Sequence, residues 1–423
     1  MKKVICCPES TIPDILEEEA KYFMLYSVSK NPLIGHIAPR LLKDIEKNGL
    51  NPSTEIIDFT TFALSVSAAD EAIIRSDSSD GWTRNIELHV YLQKPSLWVE
   101  KRNELENTLR FLTGDFWSLH FYESDPIVLK PKVLKYPMQG DCVCLLSGGV
   151  DSLVGAIDLK SMNKTPIFVS RIARGDRITQ KKYALALDGG DRHCQWSAKI
   201  RHRGNTEKST RARSIIFFAF ALIASSVITQ TENRSTNIYV PENGFISLNI
   251  PLGPMRLGSL STKTTHPIYM SGLQLMWKHL GLNVNLVLPY QFKTKGEMLK
   301  ECSDKELLEK LINDSVSCGK YQRHNLTHCG VCVPCLVRRA AFHKSGLADS
   351  TFKGYIYTQI TSVDSKDVSS VASTYLKYIN DGIKQLTTGH LFFSEINERN
   401  HFENVISRGL DELGEFIKLQ GVI

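Results

Sequence analysis

Residues 142–153 read Cys142-Val143-Cys144-Leu145-Leu146-Ser147-Gly148-Gly149-Val150-Asp151-Ser152-Leu153. The apolar run Val143, Cys144, Leu145, Leu146 has the length of a buried strand. It breaks at Ser147-Gly148-Gly149, and apolar residues then recur at Val150, Leu153, Val154 and Ile157, a helical spacing. A strand, a glycine turn and a helix start together make an anion site. Glycines let backbone N–H groups approach a phosphate, and the helix end adds unsatisfied donors. Ser147 and Ser152 bring hydroxyls, while Asp151 repels a phosphate unless a cation such as Mg²⁺ lies between them. An ordinary strand-to-helix turn explains the serine and two glycines taken alone; the complete stretch is more specific.

The complete loop resembles the pyrophosphate loop of the ATP pyrophosphatase superfamily, whose members split ATP into AMP and pyrophosphate. It lacks the lysine that a Walker loop places after its last glycine. The resemblance implies that Leu146, Ser147, Gly148, Gly149, Val150, Asp151 and Ser152 hold ATP and its Mg²⁺.

Composition bounds the rest. A length of 423 residues suggests two or three domains, and 42% hydrophobic with 23% charged residues is that of a soluble globular chain. Lys2-Lys3 leads straight into Val4-Ile5-Cys6-Cys7-Pro8 with no signal-like segment. The longest apolar stretch, Ile215 to Ile228, contains Ser225 and Ser226 and is too short to span a bilayer. A cytoplasmic protein with no membrane contact is expected. A net charge of +6 admits a phosphate-bearing ligand or an acidic partner but does not argue for general nucleic-acid binding. Ten cysteines in such a chain point to metal or catalysis before disulfides.

The strands and helices expected along the chain define four parts. Residues 1–125 read as a small α+β domain, with helices over Ile12–Tyr26, Ala38–Ile45 and Arg102–Leu112. Its strands are expected at Ser53–Phe59, Asn85–Leu92 and Phe116–Tyr122, with Leu97-Trp98-Val99 returning as a hairpin partner after Lys94-Pro95-Ser96. Residues 126–140, with Pro126, Pro131 and Pro137 among lysines, read as a linker. From 141 strand and helix alternate: strands over Pro166–Ser170, His193–Ser197, Asn237–Val240 and Asn283–Leu288, helices over Thr179–Leu187 and Thr210–Ile228. Such alternation predicts a doubly wound parallel sheet, with ligands at the carboxyl ends of its strands. Residues 346–423 form a helical extension, with helices over Val368–Leu386 and Phe402–Leu419.

The segments that follow each strand therefore carry the candidate contacts. Arg171, Arg174, Asp176 and Arg177 follow the second strand. Arg211 and Arg213, at the start of the long helix, either contact phosphate or belong to a solvated face. Glu242-Asn243-Gly244 follows the fourth strand and is placed to read a substrate's base or carboxylate. Downstream, Cys318, Cys329, Cys332 and Cys335 have the spacing of a closed tetrahedral zinc site. Iron–sulfur ligation is the rival, and His324 or His328 is an alternative to Cys318.

The loop combined with His328-Cys329-Gly330-Val331-Cys332-Val333-Pro334-Cys335-Leu336-Val337-Arg338-Arg339 resembles the 7-cyano-7-deazaguanine synthases (QueC) over about 141–345. Lys293-Thr294-Lys295-Gly296-Glu297 is similar to that family's Lys-x-Glu segment, which makes Lys295 a candidate catalytic residue with Asp151. The resemblance implies adenylation of a 7-deazaguanine carboxylate and its transfer to an amine, with ATP, Mg²⁺ and Zn²⁺ as cofactors. This sequence departs from the family in lacking Asp-Tyr-Gly-Gln after the second strand, with Gln180 nearby, and in carrying Arg213-Ser214 where the family has Arg-Asn. The long form resembles the QueC-like proteins of bacterial anti-phage systems (Qat and one class of cyclic-oligonucleotide systems). That likeness implies a protein partner, docked on the N-terminal domain, whose N-terminal amine accepts the deazaguanine. The alternatives are a free nitrile or amide synthase and a non-catalytic nucleotide-binding scaffold.

Overall fold

A computed structural model describes residues 2–232, 235–252, 263–361, 363–388, 391 and 396–423. Among the described residues, eleven strands fall into two sheets. The first joins β1 (Lys2–Cys7), β2 (Ala20–Leu25), β3 (Gly35–Ile37), β4 (Asn85–Leu92) and β5 (Phe116–Glu123), all paired in parallel, in the order β5-β4-β1-β2-β3. The second contains β6 (Cys142–Leu145), β7 (Pro166–Arg171), β8 (His193–Trp196), β10 (Thr236–Tyr239) and β11 (Val284–Val287), also all parallel, in the order β11-β10-β6-β7-β8. The short β9 (Ile200–Arg201), which follows β8 in the chain, pairs antiparallel with β3 and forms the edge of the first sheet. Each sheet starts at its centre and winds out both ways, which places a crevice beside the first strand where the direction reverses.

Between the sheets lie the helices Thr54–Ala72, Ile215–Glu232 and Pro267–His279. The first is buried along nearly its whole length and packs against the second. One hydrophobic core runs from Val4 through Phe59, Trp98 and Phe218 to Trp277. A separate core gathers the helices Val333–Ser345, Lys366–Asp381 and Ile396–Leu419. Among the described residues, no helix is long and apolar enough to cross a membrane.

Several expected elements are different. Ser53–Phe59 opens the buried helix Thr54–Ala72 and is not extended; a helix buried on all sides shows no apolar stripe, and its β-branched residues imitate a strand. Ile12–Tyr26 contains β2 and no α-helix, because Tyr22 to Leu25 is buried on both sheet faces as a central parallel strand must be. Leu97–Val99 lies in the short helix Pro95–Val99, Pro95 starting the turn, so the hairpin is absent and β4 instead pairs in parallel with β1 and β5. The N-terminal sheet is thus of the parallel α/β kind, not α+β. The long helix begins at Ile215, which leaves Arg211 and Arg213 on the segment before it. The helix expected over Val368–Leu386 breaks at Gly382, whose φ of +79° suits glycine.

A buried charge network fixes one sheet against the other. Asp115 accepts from both Arg75 Nη1 (2.8 Å) and Arg84 Nη2 (2.6 Å), and Arg84 also reaches Asp70 Oδ1 at 2.5 Å. The other oxygen of Asp70 accepts the backbone N–H groups of Arg211 (2.6 Å) and Ala212 (2.7 Å), just ahead of the long helix. Burial opposes ionisation of Asp115, yet Arg84 and Arg75 hold its carboxyl below the usual range. Removing one partner from such a buried set costs about 3–5 kcal/mol. Asp70→Asn is therefore expected to lower stability by about 3 kcal/mol, seen as a reduced urea midpoint; an unchanged midpoint would show that the network is dispensable.

Candidate functional site

The second sheet reverses direction between β6 and β10, and a cavity of about 400 Å³ opens at their carboxyl ends. That volume lies within the range of small-molecule sites. Ser147 comes from the loop after β6 and Ser152 from the first turn of the helix that follows it, Arg171 and Asp176 from β7 and its loop, and Glu242 from the segment after β10. Arg211, Arg213 and Ser214 line it from the segment before the long helix, and Gln322 from the cysteine-rich loop.

The loop is shaped by its own hydrogen bonds. Gly148 has φ +91° and Gly149 is the N-cap of the helix Val150–Ser161. Ser147 Oγ accepts from Gly149 N at 3.3 Å and lies 3.1 Å from Ser152 Oγ, which donates to Gly149 O at 3.0 Å. Leu146 and Val150 are buried and anchor the two sides of the turn. Gly155, one turn along the helix, lies so close to Pro241 that a Cβ there would sit 2.3 Å from its ring. The helix Val150–Ser161 and the segment after β10 are therefore held in close contact. Gln180 is buried behind the loop, donating to Ser147 O (3.0 Å) and Arg171 O (3.2 Å).

Asp151 is buried beneath this floor. Its Oδ1 takes an ion pair from Lys295, and its Oδ2 accepts Asn243 Nδ2 at 2.7 Å. Burial pushes the Asp151 carboxyl up, but the Lys295 charge and the bonds from Glu242, Lys295 and Asn243 bring it below its ordinary value. Glu242 shifts the opposite way: burial and the adjacent Asp151 charge raise it well above the usual range. Two carboxyl groups share one lysine, and a divalent cation would let both ionise, which is the donor chemistry that Mg²⁺ takes. Asp151, Lys295, Glu242 and Asn243 are thus brought together, with Glu242 facing the cavity and Asp151 and Lys295 behind it.

Gly244 faces elsewhere. Its N–H donates to Tyr290 O and Lys293 O at 2.9 Å each, and a Cβ would meet Gln291 O at 2.0 Å, so it joins chain to chain. Arg211 lines the cavity while its guanidinium stacks on Trp82 at 4.8 Å and donates to Thr113 O at 3.2 Å. Burial brings Arg211 down to about 10. Arg213 is exposed at the rim. Arg171 carries a buried Nε and Ser214 a buried Oγ without a partner among the described residues. Such orphaned groups in a cavity wall call for a ligand with acceptors. The order of Arg171 and Asp176 after β7 was the sequence signal for them; nothing in the sequence marked Gln322.

Lys295 is positioned by the C-terminal helix. It opens the helix Lys295–Glu301, capped by Thr294 and Glu297 in a reciprocal box. Glu412 accepts from Thr294 Oγ1 and, at 3.2 Å, from Gly296 N, while Arg408 grips Glu297 Oε1 at 2.6 Å.

The four cysteine sulfurs lie within 4.8 Å of one another, Cys318 to Cys332 at 3.8 Å and Cys329 to Cys335 at 3.9 Å. Sulfurs 2.3 Å from one tetrahedral centre would stand about 3.8 Å apart. Backbone N–H groups of Lys320 and Cys329 point at Cys318 Sγ (3.3 and 3.4 Å) and that of Cys332 at Cys329 Sγ (3.3 Å), as they do toward thiolates. His328 instead accepts Ser317 N at 3.2 Å and packs against Tyr321, which leaves Cys318 as the fourth donor. The set fits a closed tetrahedral metal site.

The class defined so far is an α/β protein with a nucleotide-sized cavity at a strand-order reversal and a cysteine metal cluster beside it. Over 247 residues the chain is 25% identical to the 7-cyano-7-deazaguanine synthases of two strains of Methanococcus maripaludis, C6 and S2. Each alignment covers 49% of this chain and 97% of the relative. About half of this chain therefore has no counterpart in them. No protein-family model matches, and no solved structure matches significantly.

Burial raises the Glu412 carboxyl from 4.5 to about 7. A raised carboxyl stabilises the fold fully below the unfolded value and loses that contribution as pH climbs to the folded one. Glu412→Gln should therefore flatten part of the decline in thermal midpoint between pH 4.5 and 7; a wild-type slope would refute the assignment.

Proposed function

We propose that this protein is a QueC-like ATP-dependent enzyme that adenylates a 7-deazaguanine carboxylate and passes the acyl group to an amine. The observation that carries the reading is the pairing of Asp151 and Glu242 under a glycine loop, beside the buried Arg171 Nε, at the crevice of the parallel sheet. The likeness to the archaeal synthases supports the choice of substrate class.

The carboxylate oxygen attacks the α-phosphorus and the bond to pyrophosphate breaks. The leaving group is received by Ser147, Ser152 and the N–H groups of Gly148 and Gly149, with Arg171 and Arg213 balancing its charge. Asp151 and Glu242 would hold Mg²⁺, which when bound would supply charge neutralisation for the phosphates. The amine nitrogen then attacks the acyl carbon, AMP leaves, an amide forms and the amine's proton passes to solvent. Lys295 keeps Asp151 ionised and in place; Asn243 orients it. The chemistry needs no protein nucleophile, because positioning and charge supply the rate.

The half of the chain without counterpart in the synthases favours an amine on a partner protein, docked on residues 1–140 in an anti-phage system, over free ammonia. Pyrophosphate release should require the deazaguanine carboxylate and fall at least ~100-fold in Asp151→Asn or Glu242→Gln. Wild-type release in either variant would sink adenylation. Mass spectrometry of proteins co-expressed with the enzyme separates the acceptors: an added deazaguanine mass supports a partner, and nitrile formation from ammonia with every neighbour unmodified overturns it. The cysteine set is assigned to Zn²⁺, one per chain, lost in Cys332→Ser; iron with visible absorbance would reverse that assignment.

A further inference from the structure

Parallel sheets are ordinarily covered on both faces. The first sheet has its helices on the inner face. On its outer face, Ile5, Cys7, Tyr22 and Met24 of β1 and β2 are covered by Ile12, Leu16 and Ile34. The neighbouring strip over β4 and β5 carries Glu87 and His89 on β4, with Ser118, His120 and Tyr122 on β5; His89 is buried and Glu87 and His120 are partly exposed.

Alternation along a strand puts Glu87 and His89 on one face, and the parallel register sets His120 directly beside His89. The two imidazoles stack with centroids 4.6 Å apart and an interplanar angle of 15°. His89 Nε2 lies 2.8 Å, and His120 Nε2 4.0 Å, from the same oxygen, Glu87 Oε1. One donor atom from each of the three side chains falls within 4.8 Å of the others. On the far side of the His89 ring, Nδ1 is hydrogen-bonded to Tyr122 Oη at 2.9 Å, which fixes the ring's orientation as an outer partner fixes a metal-bound imidazole. Lys3, across the sheet, has its ammonium on Glu17 at 2.8 Å, so the groups in direct reach of Glu87 Oε1 are the two histidines. Ser118 Oγ, 3.2 Å from His120 Nε2, is the group a cation must engage or displace.

We propose that Glu87, His89 and His120 form a second metal site, separate from the cysteine cluster, for a divalent transition cation of the zinc class. Two imidazoles and a carboxylate are the donors such ions prefer over Mg²⁺ or Ca²⁺. Donors about 2.1 Å from one ion stand roughly 3.0–3.4 Å apart, so closing the set on a cation takes side-chain movements on the order of 1 Å. Three protein donors leave a coordination position open to solvent, and His120 and Glu87 are exposed enough for an ion to enter. The site ties β4 to β5. It does not depend on the proposed reaction.

The test is zinc content of the full-length protein after dialysis against micromolar Zn²⁺ with millimolar Mg²⁺. Wild type should hold one equivalent more than His120→Ala and one more than Glu87→Gln, and Cys332→Ser should keep this equivalent while losing the other. In Co²⁺-loaded protein, His120→Ala should lose weak visible bands and keep the intense thiolate charge-transfer bands. Equal metal counts in wild type and both folded variants, as judged by circular dichroism, would overturn the site. So would a second equivalent that survives His120→Ala.

Discussion

The Asp70 carboxylate is the contact on which the arrangement of the two sheets rests. One oxygen meets Arg84 from the N-terminal sheet; the other takes two backbone N–H groups ahead of the long helix of the second sheet. Three arginines, Arg75, Arg84 and Arg211, face two aspartates, Asp70 and Asp115, in a region without solvent. The surplus positive group, Arg211, is the one that borders the cavity, where it stacks on Trp82. The N-terminal sheet thus backs Arg211 from behind, while the residues that line the cavity run from Leu145 to Gln322.

The parts of this design visible in the sequence were those with local causes. An apolar run cut by two glycines announces a strand and a helix, and four cysteines at close spacing announce a metal site. The strands of the second sheet were legible because each is a short buried run bounded by turns. Ser53–Phe59 was misleading because Ile56, Ile57 and Phe59 are buried on every side of their helix, where neither period shows. The stretch before β2 carries Glu17, Glu18 and Glu19, which favour a helix locally, yet pairing with β1 and β3 decides its continuation as a strand.

The site was legible by residue type but not by depth. Asp151, Lys295, Glu242 and Asn243 were singled out as separate motifs, and only the fold shows that Glu242 meets the cavity while Asp151 and Lys295 sit behind it. Gly244 stood in the right segment for a reason of chain packing. Gln322 arrives from the cysteine loop, and the Glu87–His89–His120 group depends on strand register across 33 residues. No local pattern encodes either.

The grip of Glu412 on the start of the Lys295 helix spans 118 residues of sequence. During synthesis the glycine loop, its sheet and the lysine all emerge well before the helix that holds them. Docking of the helix Ile396–Leu419 is therefore the step that fixes the start of the Lys295 helix.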